Sequence, residues 1–145
     1  MSLDWRGPRV VDRMRRATRL GINRTISACV AMAKDNHSWK NRTGTAERSI
    51  RIATPAQTGP DGRTIGAWGS VAVKYFWGLE FGTAAHVITP QRGEFLRFKG
   101  KSGTFVFVRQ VNHPGTKARP VLNPTARKVY PFLSGYIKQA WAGLA

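Results

Sequence analysis

Hydrophobic periodicity changes twice along this chain, from a step of three or four residues to a step of two and back again. From Arg9 to about Ala33, the residues Val11, Met14, Thr18, Ile22, Thr25 or Ile26, Cys29 and Ala33 recur at helical spacing, with arginines mostly between them. Pro8 suits the first turn, where a missing N–H is harmless. The stripe is built largely from small residues, which favours packing on a sheet over lying on a membrane. At the other end, Ala126, Val129, Tyr130, Leu133, Tyr136, Ile137, Ala140, Trp141 and Leu144 keep a helical period through residues 123–144. Asn123 is placed to cap that helix, Pro124 to open it, and Pro131 to kink it by removing a backbone hydrogen bond.

Alternation by two fills the middle. "RSIRIA" (48–53) reads as a strand with Ile50 and Ile52 on one face, and "TPAQTGPDG" (54–62) as a turn. "RTIGAWGSVAVK" (63–74) reads as its partner, where Gly66 and Gly69 mark a bulge or a close backbone approach. "GEFLRFKGKSGTFVFVRQV" (93–111) is a second hairpin, apolar on both faces and therefore expected to pack on both. "KDNHSWKNRTGTAE" (34–47) reads as a loop, and "YFWGLEFGTAAH" (75–86) as a short helical turn closed by Gly82. The expected order is helix, hairpin, short helix, hairpin, helix. That is a single α+β domain over 1–145: an N-terminal basic helix to about residue 34, a small antiparallel or mixed sheet region over 48–111, and a C-terminal helix.

Several function classes are excluded early. No stretch approaches twenty apolar residues, so no membrane span is expected, and "MSLDWRGPRVVDRMRR" has no apolar leader segment. Cys29, the only cysteine, cannot form an internal disulfide; on the apolar side of a helix it reads as buried packing rather than a nucleophile. Synthesis in a reducing cytoplasm fits. The seven acids form no spaced carboxylate pair, and no metal, P-loop or dinucleotide motif is present, so no cofactor or metal is expected. His86 and His113, followed by Lys117 and Arg119, make a conceivable acid–base and cation set for metal-independent RNA cleavage. A loop histidine more often bonds backbone, and the chain reads as a non-enzyme.

Charge is the outlier: 24 Lys and Arg against 7 Asp and Glu give +17. Self-repulsion on that scale calls for polyanions or acidic partners nearby. Arginines crowd the first segment, and from residue 85 onward ten basic side chains face one acid, Glu94. No nucleic-acid-binding module is recognisable, so the charge supports only sequence-independent contact with phosphates. The DNA-facing candidates are Arg13 and Arg16 on the first helix, and Arg97, Lys99 and Lys101 on the second hairpin. Five tryptophans (Trp5, Trp39, Trp68, Trp77, Trp141) are many for so small a core, and aromatics favour interface centres.

Two stretches together carry a resemblance. "YFWGLEFGTAAHVITP" (75–90) holds an aromatic turn, Glu-Phe-Gly-Thr, then His and Pro; "FVFVRQVNHPGTKARPVLNPTA" (105–126) holds a strand, His-Pro-Gly-Thr, then Arg-Pro opening a helix. With "TGTAERSIRI" (43–52), they resemble the tailed-bacteriophage neck, head–tail connector and tail-completion proteins over roughly residues 43–130. The hairpin within "TPQRGEFLRFKGKSGTFVF" and Pro131 depart from that pattern. The resemblance implies a non-catalytic virion subunit, assembled in the host cytoplasm, that forms a homo-oligomeric ring at the head–tail junction. Such a ring joins connector or head-completion proteins to the tail tube, or terminates the tube, around a passage for DNA. The alternative is a sequence-independent nucleic-acid-binding protein outside a virion.

"NHPGTKARPVLNP" (112–124) reads as a joint. Pro114, Pro120 and Pro124 fix three φ angles and Gly115 permits a reversal. The loop is expected to aim the last helix and to hold the "WGLEFGT" turn through a planar Arg119–Glu80 pair. The expected interface residues are therefore Trp77, Glu80, Phe81, Gly82, Thr83, His86, His113, Pro114, Gly115, Arg119 and Pro120.

Overall fold

Twenty-nine residues of helix, Gly7–Asp35 (α1), open the fold, with Pro8 in the first turn. A computed structural model of the chain describes residues 6–144; Trp5 lies outside them. The buried stripe of α1 is Ala17, Gly21, Thr25, Ile26, Cys29 and Ala33, whereas Val11 and Met14, expected on the apolar face, are exposed. Both are in phase with the stripe but lie in the first two turns, before its buried stretch begins at Ala17.

The helix that packs on the stripe is the last one. Leu122–Val129 (α4), a 3₁₀ turn over Tyr130–Phe132 and Leu133–Gly143 (α5) replace one continuous helix, with the interruption at Pro131 as expected. Neither Asn123 nor Pro124 is where expected: the helix opens at Leu122 after Val121, two residues earlier. A Cβ on Gly21 would fall on Ile137, 2.8 Å from its backbone nitrogen. Two arginines of α1 grip α5. Arg13 donates to the Trp141 carbonyl oxygen at 2.8 Å and lies 4.2 Å over the Trp141 ring. Arg24 donates to Gln139 Oε1 at 2.8 Å and lies 4.7 Å from the Tyr136 ring centre.

The segment read as a loop over 34–47 ends in a short helix, Thr45–Ser49 (α2), entered through Gly44 at φ +69°. The intervening residues are tied together. His37 stacks on Trp39 at 4.3 Å and lies 3.5 Å from Glu47, and the Trp39 indole N–H donates to Asn41 at 3.2 Å. Ile50–Thr58 (β1) pairs antiparallel with Thr64–Ser70 (β2). The turn expected over 54–62 is therefore mostly strand, reversing only at 59–63. Pro55 sits inside a register shift between Thr54 and Gln57 rather than in a turn, and the Ala56 N–H donates to the Asn23 side chain of α1 at 2.8 Å. Gly66 allows the close approach expected of it: a Cβ there would meet Ile22 at 3.0 Å.

The remaining elements are Phe76–Phe81 (α3), His86–Ile88 (β3), Leu96–Lys99 (β4), Phe105–Val108 (β5) and Val111–His113 (β6). The fold is thus α+β, with small antiparallel sheets and with N- and C-terminal helices. The chain forms two compact units: one runs up to Phe76 and resumes at Pro120, and the other is Trp77–Arg119. The first holds the apolar core, around Ile50, Cys29, Ala33, Ala17, Val129 and Phe76. Burial pushes the Cys29 thiol up from 9.0 to about 11. The unfolded chain, with the lower value, loses its proton first on raising the pH. The Cys29 contribution to stability is therefore constant below about pH 9 and declines between about 9 and about 11. A thiol reagent at pH 8 is expected to label Cys29 only at the rate of unfolding, and to label it at once in denaturant.

Candidate functional site

The second unit is an antiparallel ribbon. Thr83 bridges Thr116, β3 pairs with β6 in the same register (His86 opposite His113, Ile88 opposite Val111), and β4 pairs with β5 beyond them. The β3–β6 pair is absent from the sequence expectation, which had only the outer hairpin here. Seven residues separate β3 from β4 but only two separate β5 from β6, so the outer ladder is offset by five residues against the inner one.

Two Gly-Thr dipeptides clasp the base of this ribbon. Thr83 N–H donates to the Thr116 carbonyl oxygen at 3.0 Å, Thr116 N–H returns the bond at 3.1 Å, and the two hydroxyls lie 3.1 Å apart. Gly82 (φ +75°) and Gly115 (φ +85°) precede the two threonines. A Cβ on Gly82 would come within 2.9 Å of the Ala118 nitrogen, and one on Gly115 would fall on the Thr83 carbonyl oxygen. Only glycine fits either place. The Arg119 backbone N–H donates to the Leu79 carbonyl oxygen at 2.6 Å, which ties the loop to the end of α3. Main-chain hydrogen bonds thus join the loop to the "WGLEFGT" turn. Arg119 is exposed, as are Pro114 and Pro120, whereas Glu80 is buried.

The structure brings His86 and His113 together, with ring centres 5.0 Å apart. His86 Nδ1 lies 2.9 Å from the Ala84 carbonyl oxygen and so carries the proton, leaving Nε2 as the acceptor. His113 Nδ1 accepts from the Gly115 N–H at 3.1 Å, which puts the proton of the neutral ring on Nε2. One ring can thus accept a proton where the other can donate. His86, Lys117 and Arg119 are exposed and His113 is half-buried. No group of three or more His, Cys, Asp or Glu among the described residues is placed to hold a metal ion.

The ribbon has no apolar interior. Glu80 is the only buried side chain between Trp77 and Arg119. Eight large apolar residues of this unit are exposed: Trp77, Phe81, Val87, Ile88, Phe95, Phe98, Phe105 and Phe107. The outer hairpin, expected to pack on both faces, buries no side chain on either: Phe95, Phe98, Phe105 and Phe107 are exposed and Leu96, Val106 and Val108 only half-buried. On α3, Trp77 (72% exposed) and Phe81 (65%), four residues apart, stack at 5.1 Å. The other tryptophans differ: Trp39 is buried, and Trp68 and Trp141 are half-buried. Of the DNA-facing candidates, Arg13 is engaged with α5, while Arg16, Arg97, Lys99 and Lys101 are exposed.

No protein-family model, curated protein or solved structure matches this chain.

Proposed function

We propose that this chain is a non-enzymatic structural subunit of a tailed-phage virion, forming a homo-oligomeric ring at the head–tail junction. The ring joins connector or head-completion proteins to the tail tube around the passage for DNA, or terminates the tube. One observation carries the reading: a unit with no apolar core of its own exposes eight large apolar side chains on a rigidly clasped frame. Monomeric proteins seldom leave so much apolar surface in water, and exposed Trp and Phe are the residue types that anchor interfaces. The Gly-Thr clasp gives those side chains a fixed geometry, which a closed ring requires of each repeated contact. The charge of +17 agrees, because subunits so basic assemble only beside a polyanion or acidic neighbours.

Size exclusion with light scattering and negative-stain imaging test the assembly. Discrete rings are expected from the native chain, without nuclease turnover. Trp77→Ala with Phe81→Ala should release folded monomers, since losing even one interface anchor of about 2 kcal/mol weakens association roughly thirtyfold. A chain monomeric at every concentration refutes the ring. RNA cleavage abolished by His113→Ala would instead favour the acid–base reading of the histidine pair.

A further inference from the structure

The outer hairpin has two chemically different faces. Residues opposite each other, and those two apart, share a face of a ladder. Leu96 with Val108 and Phe98 with Val106 make one face wholly apolar. The other carries Arg97 opposite Phe107 and Lys99 opposite Phe105, with Phe95 and Arg109 one step further along. Each of these cross-strand pairs sets a cation opposite a ring. Arg97 lies 3.8 Å over the Phe105 ring, Arg109 5.7 Å from Phe95, and Lys99 5.9 Å from Phe105. Phe107 is 62% exposed.

We infer that this cation–aromatic face binds single-stranded nucleic acid, without sequence preference, by stacking bases on its phenyl rings and pairing phosphates with Arg97, Lys99 and Arg109. Three features select this occupant. Unpaired bases offer π-faces that a duplex keeps stacked inside, and stacking on aromatic side chains is tolerant of sequence. In a duplex the base faces stay stacked on one another, so Phe105 and Phe107 would have none to stack on. Insertion into a lipid surface needs rings segregated from charge, whereas here a guanidinium covers a ring on the same face. Alternate residues on a strand are about 6.7 Å apart, near the spacing of successive phosphates on an extended strand. The unit carries seven Lys and Arg against Glu80 and Glu94, so its field attracts a polyanion.

Fluorescence anisotropy with a labelled twenty-nucleotide oligothymidylate, across a potassium chloride series, tests this on the full chain. Tighter binding is expected to the single strand than to a duplex of equal length. Arg97→Ala with Lys99→Ala should weaken binding at least tenfold and reduce the log–log salt slope by about 1.4, two contacts' worth for single strands. Phe107→Ala should weaken it about tenfold with the salt slope unchanged, while Phe98→Ala on the opposite face should change nothing. Circular dichroism confirms that each variant is folded. Equal affinity for duplex, loss on Arg15→Ala with Arg16→Ala but not on the ribbon variants, or binding only to phosphatidylserine vesicles would each overturn the assignment. Ring formation and strand binding are measured separately, so either can fail while the other holds.

Discussion

Gly115→Ala is expected to open the base of the ribbon and to destabilise that unit by about 3 kcal/mol or more. Two costs add. The left-handed conformation at φ +85° disfavours any Cβ by roughly 1–2 kcal/mol. The new carbon would also fall on the Thr83 carbonyl oxygen and within 2.9 Å of the Ala84 carbonyl carbon. These are backbone atoms and cannot rotate aside, so the strands must part and the reciprocal Thr83–Thr116 bonds break. Amide hydrogen exchange locates the effect: Thr83 and Thr116 should lose protection while the amides of α1 keep theirs. Unchanged exchange at those two threonines would show that the clasp is not what holds the ribbon. Gly82→Ala should repeat the result through Thr116 and Ala118.

Gly21→Leu should be the most damaging single change in the helical unit. A Cβ alone would fall on Ile137, 2.8 Å from its nitrogen and 2.9 Å from its Cα. Gly21→Ala gains up to about 1 kcal/mol of helix propensity and loses about 1–3 kcal/mol to overpacking, a modest net loss. Leucine keeps most of that gain and adds three carbons where no space exists, so α1 and α5 must separate and loosen the Arg13 and Arg24 contacts with them. The urea midpoint is expected to be highest for the native chain, lower for Gly21→Ala and lowest for Gly21→Leu. Arg16→Ala, exposed on the same helix, serves as the unaffected control. Equal midpoints for all four proteins would mean that the two helices do not depend on this close approach.

Much of the architecture is legible before any coordinates, and the exceptions have physical causes. The helical period of residues 9–33, the Pro131 interruption and the Gly82 stop rest on backbone rules that neighbours rarely override. The faces are harder. Side-chain identity places Val11 and Met14 on the apolar stripe, but periodicity does not say where along α1 the packing starts, and the buried stretch begins only at Ala17. Pro55 resembles a turn residue until Asn23 supplies an acceptor for the neighbouring Ala56 N–H. β3 and β6 are three residues each, too short to show any period, and are set by the threonine bridge thirty-three positions apart. Of the joint, Gly115 and the hold on the aromatic turn are readable in the prolines and glycines. The hydrogen bond from the Arg119 N–H to the Leu79 carbonyl oxygen is not, because a main-chain contact leaves no mark on residue identity.

The unequal connections on the two sides of the ribbon have a bearing on how this molecule tolerates change. Because the inner ladder keeps one alignment from Thr83 to Ile88, whatever is spliced in or cut out beyond Ile88 and Val111 leaves the threonine bridge in step. The outer fingertip can therefore be lengthened or shortened while the hand that holds it keeps its shape.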